Sequence, residues 1–161
     1  MDSGWATPLG VASLLFAAYG AFWVLIGVMT PLALGAGRVG STLFWTPAAD
    51  AHAFAPPGEL LAREPAVAKL RDAYLVTIAG LLVAGGAAIA CVAWFALREG
   101  ATWAAIALTF AGASVVPFWW LVTRTYLAGG WRFTLADVPP FMWVPTALWL
   151  VATPLAWWGL R

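Results

Sequence analysis

The chain has one cysteine, one histidine and one lysine, and only 9% of its residues are charged. With Cys91 alone there is no internal disulfide and no Cys-x-x-Cys redox pair, and the thiol reads as a small packing residue. With His52 alone, bis-histidine haem ligation is excluded, and a His/Met pair would require a loop residue to reach Met29 or Met142. The eight basic and seven acidic residues leave a net charge of +1, so no basic field is present to attract nucleic acid. No metal and no cofactor is expected from this residue set.

The charges that exist avoid four long stretches: Leu9 to Thr30, Tyr74 to Leu97, Ala101 to Thr123, and Phe141 to Leu160. Each is near the roughly 20 apolar residues that a helix needs to cross a bilayer. In hydrocarbon every backbone N–H and C=O needs an internal partner, so continuous apolar runs of this length imply helices. A closed barrel would alternate polar and apolar residues instead. With 63% of residues hydrophobic, the expected class is an all-α membrane protein, a four-helix transmembrane bundle in one domain spanning residues 1–161. The first run follows Asp2 with no basic residue before it and exceeds a cleavable signal core, so it is read as a retained span.

The spans carry stripes of small residues at alternating spacings of three and four. Thr77, Gly80, Ala84, Ala87 and Cys91 form one; Gly10, Ser13, Ala17, Gly20 and Gly27 form another, with the larger Val24 filling the place between the last two; Ala104, Ala107, Ala111 and Ser114 form a third. Such stripes let helix backbones approach closely, within one bundle or between copies. Gly20, Gly27, Gly80, Ala84 and Ala87 are the candidate packing positions. Pro117, Pro145 and Pro154 lie inside spans and predict kinks, since each removes a donor and crowds the carbonyl four residues earlier.

The one long connection, residues 31–73, holds more than half of the ionisable side chains, among them Arg38, Asp50, His52, Glu59, Arg63, Lys69 and Arg71. Pro56-Pro57-Gly58 opposes a single helix there, Glu59 to Glu64 suits a turn or two, and Pro65 suits a first helical position. Val67, Leu70 and Tyr74 share a face, which predicts an amphipathic lead-in to the second span. Arg98-Glu99-Gly100 is a tight hairpin with Gly100 as a left-handed cap, and Asp137 is a candidate cap for the last span.

Arg38, Arg63, Lys69, Arg71, Arg124 and Arg132 fall on one side of a four-span chain, against Arg98 and Arg161 on the other. The positive-inside rule then places both long loops in the cytoplasm and both termini outside. The abundance of Ala, Gly, Trp and Arg points to a GC-rich prokaryotic source and hence to a cytoplasmic (inner) membrane.

No span contains Asp, Glu, Lys, Arg or His, which removes the groups that proton relays, voltage sensors and most ion-coupled transporters need. The function expected first is therefore association, as an accessory subunit or homo-oligomer in the lipid bilayer. Second is a binding site for a hydrophobic small molecule or lipid, with Trp45, Trp119, Trp120, Trp131, Arg132 and Trp143 as candidate lining residues near Pro117 and Pro145. Third is an enzyme in which Asp50 and His52, two residues apart, work with Glu59 as an acid–base or metal-binding group.

Overall fold

The structure, a computed structural model, describes residues 4–44, 46–53, 56–132 and 140–161. All regular elements among them are helical. Four helical stretches are long and apolar enough to cross a membrane: Pro8–Gly35, Pro65–Leu97, Thr102–Ala128 and Phe141–Gly159.

Helix α1 (Pro8–Gly35) starts where the Thr7 hydroxyl accepts the Gly10 amide at 3.1 Å, with Pro8 at the first helical position. It carries Pro31 inside it and runs five residues beyond Thr30, where the apolar run suggested an end. Two short helices follow, α2 (Pro47–Ala53) and α3 (Pro57–Arg63). Helix α4 (Pro65–Val92) begins with Pro65 in first position and continues through a π-helical turn, Ala93–Leu97, so the lead-in and the second apolar run are one element. The turn after it closes with Ala101 N–H donating to Ala96 C=O at 3.1 Å and Gly100 at φ 81°, a conformation that residues with a Cβ rarely adopt.

The third apolar run is two helices, α5 (Thr102–Ala113) and α6 (Val115–Ala128), broken at Ser114. Pro117 explains the break, because it has no amide to give to Ala113 C=O and its ring crowds that carbonyl. Helix α7 (Pro140–Gly159) passes Pro145 and Pro154 without interruption.

Helix α1 is the central element, packed along α4 on one side and α7 on the other. The contact with α4 is close because Gly20 and Gly27 of α1 and Gly86 of α4 lack side chains where the helices meet. A Cβ added at Gly20 would collide with the carbonyl of Gly86 and lie 2.7 Å from the Ala90 amide, and one at Gly27 would lie 2.6 Å from the Ala79 carbonyl. Helix α5 packs on α7 through Gly112, whose missing side chain leaves room for the Trp149 indole. Trp5 stacks near Trp94 and Gly159 lies against Leu9, so both described ends of the chain share one end of the bundle with the 98–101 hairpin. Helices α2 and α3, with the turn after α6, occupy the other end.

The two ends differ in density. At the terminal end Ala12, Phe16, Ala93, Leu97, Ala104, Leu108, Ala152 and Ala156 form one closed core. Small alanines there allow backbone approach, and Phe16 and Leu97 fill what remains. Toward the other end, α6 packs mainly on α2 and α5, and its Trp119 lies 6.3 Å from Phe141 of α7.

Candidate functional site

The end of α6 is held by a buried polar cluster. Thr46 starts α2 by accepting the Ala49 amide at 3.2 Å, and the helix turns Asp50 inward until it is fully buried. One Asp50 carboxylate oxygen accepts the backbone amides of Leu43 (2.8 Å) and Phe44 (3.1 Å), and the other accepts the Tyr126 hydroxyl at 2.9 Å. Tyr126 is itself 1% exposed. A buried carboxylate without partners would be costly; three donors on one carboxylate make it a structural joint between the connection and α6. Arg71 adds a second tie, giving hydrogen bonds to the carbonyl of Gly40 at 2.8 Å and to Asp72 at 2.8 and 2.9 Å.

Between these ties and the dense core lies a cavity of about 530 Å³. Its back wall is one face of α1, Tyr19, Trp23, Ile26 and Thr30. On α4 the wall runs from Tyr74 through Ile78, Leu82 and Gly86 to Ile89, and on the kinked segment from Ala111 through Val115 and Trp119 to Val122. Phe44, Tyr74, Trp119 and Phe141 close one end as an aromatic chain: Phe44 lies 6.3 Å from Tyr74 and 6.4 Å from Trp119, and Trp119 lies 6.3 Å from Phe141. Because the Phe44 amide is bound by Asp50, the polar joint also positions this aromatic end. The cavity opens sideways between α4 and α6, where Leu81 and Phe118 are each 68% exposed. Its lining is almost wholly apolar, and the volume is in the range of small-molecule sites.

The residues singled out from sequence distribute unevenly over this geometry. Trp119 lines the cavity. Trp120 and Trp143 point to the outer surface at 62% and 56% exposure, and Arg132 is exposed. Trp131 packs on the Ala49–Tyr126 cluster and edge-on to His52, with ring centroids 5.6 Å apart. Trp45 and Asp137 lie outside the described residues. Asp50, His52 and Glu59 do not converge: Asp50 is buried in the joint, His52 is exposed against Trp131, and Glu59 is an exposed partner of Arg63 at 3.2 Å. The acid–base group built on these three therefore does not form. The cause is helical geometry, since two residues along α2 rotate a side chain by about 200° and turn Asp50 and His52 to opposite faces. Among the described residues no group of three or more His, Cys, Asp or Glu is placed to hold a metal ion.

The small-residue stripes separate by face. Gly20 and Gly27 meet α4, as described. Gly80, Ala84 and Ala87, with Thr77 and Cys91, lie on the outward face of α4 and are exposed; a Cβ at Gly80 would meet nothing within 4 Å. The inner contact is made instead by Ala79, Val83, Gly86 and Ala90. Tyr19, Trp23, Phe44, Tyr74 and Tyr126 are the principal aromatic contributors that sequence reasoning did not select. No known protein family matches the chain, and no curated protein or solved structure shows a significant similarity to it.

Proposed function

We propose that this chain is an integral membrane protein that binds an apolar ligand taken from the bilayer. The observation that carries the reading is the 530 Å³ cavity within a single protomer, almost wholly apolar and open sideways at the middle of two long apolar helices. A mouth in that position faces hydrocarbon, so a ligand that partitions into lipid reaches it without crossing water. The charge distribution supports an orientation with α2, α3 and the turn after α6 in the cytoplasm and both termini outside, and the Ala-, Gly-, Trp- and Arg-rich composition supports a prokaryotic inner membrane as the location.

Substitution of a lining residue tests the reading. Ile78→Trp would fill the cavity, and a ligand retained through mild detergent extraction would be lost from that variant while helix content by circular dichroism stays unchanged. Retention of the same ligand by the variant would overturn the assignment of the site.

A second reading rests on a different observation, the exposed small-residue face of α4. A bare face of Gly80, Ala84 and Ala87 is suited to a helix of another copy or of a partner membrane protein. Cross-linking through Cys91, which lies on that face, tests it: a disulfide-linked dimer that disappears with Gly80→Ile supports association, and a monomer under oxidising conditions in the membrane argues against it.

A further inference from the structure

The shape of the cavity is more informative than its volume. On α4 its lining extends from Tyr74 to Ile89, about 22 Å at 1.5 Å per residue, and on α1 from Tyr19 to Thr30, about 16 Å. The cavity is therefore elongated along α4, and its volume is too small to take a helix of about 10–12 Å diameter over that length. It suits one hydrocarbon chain lying extended.

Exposure fixes the direction of the occupant. The deep end, at Tyr19, Gly86 and Ile89, abuts the dense alanine-rich core, and the Gly86 contact with α1 leaves no exit there. The other end reaches Tyr74, which is 43% exposed and lies on the side of the cavity nearer α2 and α3.

From these dimensions we infer that the ligand is a lipid with a single long hydrocarbon chain, acyl or isoprenoid, inserted through the gap between α4 and α6. The chain end lies at Ile89 and the polar end lies beside Tyr74. This rests on the binding reading above and narrows it to one chemical class and one polarity.

Photo-cross-linking tests both. Purified protein in nanodiscs is exposed to single-chain fatty acids carrying a diazirine either at the chain terminus or near the carboxyl group, and in parallel to a diazirine-bearing sterol. The expected result is chain-terminus labelling within Gly86–Ile89 or at Tyr19, head-side labelling at Phe44 or Tyr74, and no sterol adduct at either place. Two blocking variants control for lipid on the outer surface. Ile78→Trp fills the channel, and Gly85→Leu fills its mouth at a position where an added Cβ meets nothing within 4 Å, so at least the latter leaves the backbone undisturbed. Both are expected to reduce labelling about tenfold, equivalent to about 1.4 kcal/mol of binding. Sterol labelling without chain labelling would overturn the single-chain assignment and leave the binding site standing. Reversed positions of the two chain probes would overturn the polarity. Labelling that survives both variants, or no labelling of lining residues by any probe, would overturn the binding reading itself.

Discussion

Removing the Tyr126 hydroxyl isolates the joint that ties α6 to α2. Tyr126→Phe deletes one hydrogen bond to a buried carboxylate and keeps the ring in place among Ala49, Val122 and Trp131. A bond of this kind contributes about 1.5–3 kcal/mol. For a chain of this size that corresponds to a fall in Tm of about 3–12 °C. Asp50→Ala is more severe, since it removes the acceptor of the Tyr126 hydroxyl and of the Leu43 and Phe44 amides together. At about 1–3 kcal/mol for each donor that loses this acceptor, its cost is about 3–9 kcal/mol, a large share of the stability of a typical domain. The two changes must also be non-additive. Once Asp50 is gone, Tyr126→Phe removes a hydroxyl that has lost its acceptor, so the second substitution costs little or restores some stability. A double-mutant cycle read by thermal unfolding in one detergent is expected to give a coupling of about 1.5–3 kcal/mol. Additivity within about 0.5 kcal/mol would refute the joint.

Three further outcomes follow from the packing. Gly20→Ile or Gly86→Ile drives a side chain into the facing backbone and is expected to destabilise by at least about 1–3 kcal/mol in thermal unfolding, whereas Gly80→Ile leaves monomer stability within about 0.5 kcal/mol. Gly112→Ala pushes on the Trp149 indole, whose Nε1 donates to Thr109 C=O at 3.3 Å, and is expected to lower Tm and shift tryptophan emission. Arg98 lies 4.2 Å from the centre of the Trp5 ring and 5.6 Å from that of Trp94; Arg98→Gln is expected to loosen the segment before α1, seen as faster amide exchange at residues 5–10, at a cost of about 0.5–2 kcal/mol.

The helices were legible because hydrocarbon demands long uncharged runs, and this chain separates its charges from them cleanly. Helix α2 was also written in the sequence, as Thr46 followed by proline, a capping residue before a first-position residue, but its seven residues carry too little periodicity to stand out from a polar loop. Asp50 could not be placed from local pattern, because its partner Tyr126 is 76 residues away. The stripe of Gly80, Ala84 and Ala87 shows a different limit: spacing says which residues share a face, and only the neighbouring helices decide whether that face turns in or out. The cavity depends on α4 and α6 diverging. Pro117 marks where the divergence begins, but its direction is set by the contact of α6 with α2, which no run or spacing encodes.

The most direct test of the central claim is native mass spectrometry of the protein released gently from its own membrane, compared with the Gly85→Leu variant. The account predicts a discrete bound mass of a single-chain lipid on the wild-type protomer and its loss from the variant. A wild-type protomer that carries no small molecule, or one whose bound mass is unchanged in the variant, would contradict it.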